Sequence, residues 1–287
     1  MSKIKVSEIF YSLQGEGRWT GAPSVFFRTF GCNFNCRNFG RYEDDAVKPT
    51  ESNPEVTKIA NKIDQYKTYE DLPLVHTGCD SYASWDPRFK HLSPFKTIDE
   101  IASRFEELIG PVWGERHLVI TGGEPLLGWQ KAFVALLQHP FMSTLKFLTF
   151  ETNGTYVLHK DLADYLQARR VMDGLDITFS ASVKLPSSGH GMEEACKPAA
   201  IQSYIDNSTL TYFKFVASTE QDVVDVDIML SKYKEHGINI PVYLMAVGGT
   251  VETFKLNNNN VAEICMRRGW MYSDRLQVSL WSNAWGT

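Results

Sequence analysis

Three cysteines stand where their thiolates could meet at a metal. Cys32 and Cys36 lie in Gly31-Cys32-Asn33-Phe34-Asn35-Cys36, and Cys79 lies in Thr77-Gly78-Cys79-Asp80-Ser81-Tyr82. A Cys-x3-Cys pair on a loop leaving a strand can aim two thiolates at one cluster, with Gly31 permitting the turn. Cys79 is the next cysteine, with residues 37–78 between. Three cysteine ligands on a 4Fe–4S cluster leave one iron open, which separates a catalytic cluster from a four-cysteine electron carrier. The same residues admit two other readings. Cys32, Cys36, His76 and Cys79 would make a Cys3His zinc set, and Cys32 and Cys36 could be packed thiols. Cys196 and Cys265 fall on helical stretches with no partner nearby in sequence and read as core residues.

Polar groups recur just after apolar runs. Thr121-Gly122-Gly123-Glu124-Pro125 follows RHLVI, and its two glycines would let backbone approach a ligand while Glu124 accepts from an ammonium. A Gly-Gly pair alone also fits an ordinary turn between strand and helix. Glu151-Thr152-Asn153-Gly154-Thr155 follows KFLTF, and Ala181-Ser182-Val183-Lys184 follows LDITFS, adding a hydroxyl and a cation. Three polar strand ends argue for one shared site.

The elements that must position these groups alternate along the chain. Strand-like runs are 24–30 (SVFFRTF), 116–120, 146–150, 175–180, 211–216 (TYFKFV), 240–245 and 275–280 (RLQVSL). Most are too continuously apolar to have a solvated face. Helix-like stretches fall at 97–108, 129–138, 161–169, 220–236 and 251–268, the first opened by a Thr-x-x-Glu capping pattern. This alternation predicts an α/β fold with a parallel sheet, a full or partial (βα) barrel whose chemistry lies at the carboxyl ends of its strands. The chain reads as one domain, 1–287. Residues 37–78, with one helix predicted over 54–66, read as an insertion between the second and third cluster cysteines.

Whole-chain properties bound the function. At 287 residues with 43% hydrophobic and 22% charged residues, the composition is that of an ordinary soluble enzyme. A net charge of −5 and a pI near 5.8 give no reason to expect tight binding to a nucleic-acid backbone. No apolar run approaches the ~20 residues needed to span a bilayer. The opening MSKIKVSEIF lacks an apolar signal core, and the odd count of five cysteines suits a reducing compartment. Together these predict a cytoplasmic protein that engages neither membrane nor nucleic acid.

The cysteine loop, residues 121–125 and residues 151–155 together resemble the radical S-adenosylmethionine (SAM) superfamily. Glu8-Ile9-Phe10-Tyr11-Ser12-Leu13-Gln14-Gly15-Glu16-Gly17, followed by Phe27-Arg28, is similar to one of its families, the 7-carboxy-7-deazaguanine synthases of queuosine and related 7-deazaguanine biosynthesis. Cys79-Asp80-Ser81 resembles that family's Cys-Asp-Thr, Ser182-Val183-Lys184 its Ser-Pro-Lys, and Trp281 with Trp285-Gly286-Thr287 its tryptophan-containing tail. The superfamily's usual spacing is Cys-x3-Cys-x2-Cys. Here Phe39 stands at the third cysteine's place, and the insertion precedes Cys79. A histidine often found near the family's C-terminus is not evident where Gln277-Val278-Ser279 stands.

The resemblance implies a partial TIM-type barrel of the radical SAM kind and a lyase. That lyase contracts 6-carboxy-5,6,7,8-tetrahydropterin to 7-carboxy-7-deazaguanine with loss of ammonia. It implies no catalytic side chain, because cluster and SAM generate the radical. Its implied cluster ligands are Cys32, Cys36 and Cys79, with Ser81 on Mg2+. Implied cofactor-binding residues are Gly78, Cys79, Asp80, Gly122, Gly123, Glu124, Ser182, Val183 and Lys184. Implied substrate-binding residues are Leu13, Gln14, Gly15, Glu16, Arg28, Thr121 and Thr287, with Glu16 reading the pterin's adjacent donors and Arg28 its carboxylate. An external one-electron donor such as flavodoxin or ferredoxin and a homodimer complete the expectation. The alternatives are an activase that makes a glycyl radical on a partner protein, and a non-catalytic Cys3His zinc-binding module.

Overall fold

The computed structural model describes residues 2–41 and 45–287; Tyr42, Glu43 and Asp44 of the predicted insertion lie outside the described residues. Its centre is a nine-stranded sheet of order β3-β1-β2-β4-β5-β6-β7-β8-β9. The strands are β1 (Lys3–Leu13), β2 (Pro23–Thr29), β3 (Phe95–Thr97), β4 (His117–Gly122), β5 (Phe147–Thr152), β6 (Asp176–Ala181), β7 (Leu210–Ala217), β8 (Val242–Ala246) and β9 (Met271–Ser273). From β2 through β9 every pairing is parallel, while β1 runs antiparallel to both β2 and β3. The described pairings leave β3 and β9 as edges, so the parallel strands form a partial barrel.

The covering helices are α1 (Pro54–Ala60), α2 (Ile98–Ile109), α3 (Gln130–Leu137), α4 (Lys160–Asp173), α5 (Met192–Ala195), α6 (Pro198–Asp206), α7 (Glu220–Lys234), α8 (Val251–Arg268) and α9 (Leu276–Trp281). The predicted capping box opens α2: Thr97 Oγ1 accepts from the Glu100 N–H at 3.2 Å, and Glu100 accepts from the Thr97 N–H at 2.6 Å. Among the described residues no helix is long and apolar enough to cross a membrane.

Period-two alternation decides which side chains meet the helices and which face the barrel interior. Leu118, Ile120, Leu148, Phe150, Ile177, Phe179, Phe213 and Phe215 belong to the main core. Phe150 stacks on Phe179 at 5.0 Å, and Phe179 on Tyr204 of α6 at 4.6 Å. Most of the intervening residues are polar, and several pair across strands. At one end His117 meets Thr149 at 2.8 Å and Trp19 donates to Thr178 at 3.2 Å. The same alternation carries Thr121, Glu151 and Lys214 to the carboxyl ends, where a cavity opens.

Two sequence readings are corrected. Residues 275–280, predicted as a strand, fall in helix α9; of the alternating Leu276, Val278 and Leu280, Val278 is buried and Leu280 is 52% exposed. The strand beside β8 is instead β9, which starts after Gly269 ends α8 in a left-handed conformation. The helix predicted over 54–66 stops at Ala60, with a separate 3-10 turn at Ile63–Gln65. It begins where Asn53 accepts from the Glu55 N–H and Pro54 occupies the first turn.

Candidate active site

A cavity of about 240 Å³ lies at the carboxyl ends of the strands. Cys32, Cys36 and Cys79 all line it. The insertion leaves and returns at one place, because the Gly78 N–H donates to Phe39 O at 2.7 Å. Asn53 secures that return by donating to Thr77 O at 2.7 Å. Cys79 thus follows directly on a residue bonded to Phe39, the position where the shorter spacing would put its third cysteine. The Gly-Gly loop presses on the cysteine loop from the other side. The Glu124 N–H donates to Gly31 O at 2.7 Å, and a Cβ on Gly123 would stand 2.5 Å from Gly31 O and 2.7 Å from Cys32 Cβ.

The donor set suits a cluster. All three thiols are free, and burial is the main cause pushing Cys32 up to about 12, Cys79 up to about 11 and Cys36 upward. A thiolate held here therefore needs a metal cation beside it. The Phe34 N–H already points at Cys32 Sγ, 3.4 Å away, the kind of hydrogen bond that tunes a cluster sulfur. Among the described residues no three His, Cys, Asp or Glu side chains are grouped to hold a single metal ion. His76, the fourth member of the zinc reading, is exposed and donates its backbone N–H to Glu55. Phe39 and Lys184 flank the cysteines: the ammonium lies 5.7 Å from the Phe39 ring and donates to Ser182 Oγ at 3.0 Å.

Two expected cofactor residues sit behind the wall. Glu124 is fully buried, accepting from Thr152 Oγ1 at 2.8 Å, the Asn153 N–H at 2.6 Å and the Leu126 N–H at 3.0 Å. Burial pushes its carboxyl up to about 7 against those three donors. Its bonds fix the strand-end loops to each other. Val183 is 1% exposed and packs in the core. Gly78, Asp80, Gly122, Gly123, Ser182 and Lys184 do line the cavity.

Leu13, Gln14, Gly15, Glu16, Arg28, Ser81, Thr121 and Thr287 also line it, but several are already paired. Arg28 donates to Glu8 at 2.9 Å and to Ser81 Oγ at 3.0 Å. Burial pulls its pKa down, yet Glu8 and the other acidic groups around it, Tyr69, Asp80 and Glu151, together outweigh that and the net shift is upward. Glu8 on β1 thus fixes one edge of the Arg28 fork. Ser81 also donates to Asp80 at 3.3 Å. Thr121 Oγ1 donates to Glu151 at 3.1 Å.

Glu16 is the most heavily engaged. Lys214 ion-pairs with one oxygen, while Gln277 donates to the other at 2.9 Å and Arg275 stands 3.4 Å from it. Burial raises the carboxyl's pKa, but Lys214 and then Arg275 overcome it and hold the group at about 2. Gly15 makes room for this, since a Cβ there would lie 1.7 Å from the Gln277 side-chain oxygen. Glu151, Lys214, Arg275 and Gln277 are site residues that the sequence reading did not assign as ligands. Lys214 carried a signal, a lone charge inside TYFKFV.

No family model matches the chain. A 7-carboxy-7-deazaguanine synthase of Halobacterium salinarum is 30% identical over a 304-residue alignment covering 98% of this chain and 91% of that protein. Proteins of the same name from Rhodopirellula baltica and Pyrobaculum aerophilum are 26% and 27% identical, covering 100% and 99% of this chain. The crystal structure of QueE from Escherichia coli superposes with a TM-score of 0.55 over 94% of this chain and 93% of its own, at 18% identity. That match supports the fold, a mixed α/β partial barrel. With its length covered almost end to end by a relative at this identity, the chain belongs to the 7-carboxy-7-deazaguanine synthase family.

Proposed function

We propose that this protein is a radical SAM lyase that converts 6-carboxy-5,6,7,8-tetrahydropterin to 7-carboxy-7-deazaguanine with loss of ammonia. The observation that carries the reading is the single cavity lined by Cys32, Cys36 and Cys79 on one side and by Gln14, Glu16, Glu151 and Lys214 on the other. Family membership supplies the chemistry: the full-length relatives bear the name of that activity. When bound, a 4Fe–4S cluster and SAM supply the one-electron hydrogen-abstracting chemistry that a ring contraction needs. Cys32, Cys36 and Cys79 would hold the cluster. Gly122, Gly123, Asp80, Ser182 and Lys184 present backbone, carboxylate, hydroxyl and ammonium groups toward SAM.

The substrate's adjacent ring N–H and amino donors suit a carboxylate held ionised, and the network around Glu16 supplies one. Arg28, oriented by Glu8, offers the fixed cation for the substrate carboxylate. Ser81 would hold Mg2+, a hard cation that favours oxygen ligands and keeps water. An external one-electron donor of the flavodoxin or ferredoxin kind, a cytoplasmic setting and a homodimer belong to the same proposal.

Anaerobically reconstituted protein given SAM, a reductant and the pterin should release 7-carboxy-7-deazaguanine and ammonia, read by mass spectrometry. Cleavage of SAM with no deazaguanine formed would overturn the substrate assignment while leaving the superfamily chemistry standing.

A further inference from the structure

Lys214 lies on β7 between Phe213 and Phe215, which both face the helices. Alternation turns its ammonium into the barrel interior, where the residue is 4% exposed. A lysine tolerates such burial only when its charge is matched. Two carboxylates match it. One is Glu16, in direct ion pair, and the other is Glu151, 3.9 Å away on β5. Gln14 joins the same two residues, donating to Glu151 at 3.2 Å and accepting from the Glu16 N–H at 3.0 Å. Lys214, Glu16, Gln14 and Glu151 thus close a ring at the substrate end of the cavity.

The partners of Glu16 differ in freedom. Arg275 is pinned, its other donors held by Gly248 O and by Asp80, the latter at 2.6 Å. Gln277 belongs to α9 and donates to Glu16 alone. Lys214 is the partner with a second acceptor in reach. A ligand that needs Glu16 for two adjacent N–H donors can displace the ammonium without stranding it, because Glu151 receives it.

We propose that Lys214 is a positioning residue: it keeps Glu16 ionised and aimed while the pocket is empty, then shifts to Glu151 as the substrate's donor edge takes Glu16. The inference rests on the pterin reading above. The charged and titratable groups facing Glu16 are Lys214 and Arg275, with Glu151 and Tyr212 facing Lys214 and Asp80 facing Arg275.

The test uses the fluorescent oxidised analogue 6-carboxypterin as probe, titrated into the reconstituted protein. Lys214→Met should weaken binding about tenfold, the equivalent of one pKa unit. The loss should grow as pH falls, because removing the ammonium leaves burial's upward push on Glu16 less opposed and more of the carboxyl protonates. Lys214→Arg should restore most of the affinity. Glu16→Gln and Glu16→Gln/Lys214→Met should bind equally, since Lys214 acts through Glu16; the double variant removes both charges of the pair, and the comparison serves if Lys214→Met alone does not fold. A further loss in the double variant, or unchanged binding with an unchanged pH profile in Lys214→Met, overturns the proposal. If wild type binds no pterin, the functional reading fails separately. The 13C carboxyl titration of Glu16, identified by its loss in Glu16→Gln, then decides: it should move to higher pH in Lys214→Met, and an unmoved titration refutes the role.

Discussion

The two sides of the cavity are held by different physics. On one side stand the carboxyl ends of β2 and β4–β8, where parallel pairing fixes each residue against the next: Arg28 beside Thr121, Glu151 beside Ser180, Lys214 beside Tyr243. Facing them is a wall made of the insertion and the segment that follows it as far as Phe89, the loop after β8 and the C-terminal tail. That wall has its own small core of Val56, Ile59, Tyr69, Leu72, Val75, Tyr82, Ala83 and Phe89. Trp285 packs into it, edge-on to Tyr69 at 4.8 Å and to Tyr82 at 5.9 Å, and its indole N–H donates to Leu72 O at 2.6 Å. Asn283 ties the tail to Gly249 O at 2.9 Å. A register leaves a side chain one address; a cluster of aromatics under a loop leaves several. The three cysteines proposed to hold the cluster are divided between the sides, Cys32 and Cys36 with the sheet, Cys79 with the wall.

Substitutions on the strand-end side should therefore cost more than those in the wall. Glu124→Ala strands three buried donors, each worth about 1–3 kcal/mol, and should lower stability by about 4 kcal/mol in urea unfolding. Glu16 comes next. Its carboxyl is depressed from 4.5 to about 2, so its contribution is present above pH 4.5 and is lost as pH falls through about 2. The full depression corresponds to about 3 kcal/mol. Acid unfolding of Glu16→Gln should lack that pH-dependent component.

The wall substitutions follow. Ser81→Ala removes one hydrogen bond from Arg28 and should cost about 1 kcal/mol. If Ser81 holds Mg2+, it should also weaken Mg2+ stimulation of turnover, with Ser81→Thr retaining it. Equal Mg2+ dependence in wild type and Ser81→Ala removes that role. Trp285→Ala should cost about 1 kcal/mol or less overall while speeding amide exchange across residues 282–287. A global loss as large as that of Glu124→Ala would break the comparison, because the wall would then be as integral as the sheet.

The same division governs what the sequence revealed. Strands β2 and β4–β8 were legible because β-branched and aromatic runs with both faces buried have few other solutions. β1 was read as a motif rather than a strand, although Ile4 and Val6 alternate with Lys3 and Lys5 in the half-buried pattern. α6 was missed despite Pro198 at its start. The cysteine and Gly-Gly motifs located the cavity from residue type and spacing, and the family resemblance added Gln14 and Glu16 to it. What they could not supply was pairing: that Glu8 takes Arg28, that Glu124 faces inward, and that Arg275 reaches Glu16 from a segment read as a strand. Such facts arise from tertiary contacts, from 20 residues apart for Glu8 and Arg28 to opposite ends of the chain for Glu16 and Arg275, which local pattern does not encode.

The account's central claim is that residues from both sides hold one cluster, and metal analysis of anaerobically prepared protein tests it most directly. Wild type should be brown with about four iron and four sulfide per chain, Cys79→Ala should lose the intact cluster, and Cys196→Ala should keep it. Unchanged iron in Cys79→Ala, or stoichiometric zinc in wild type, would contradict it.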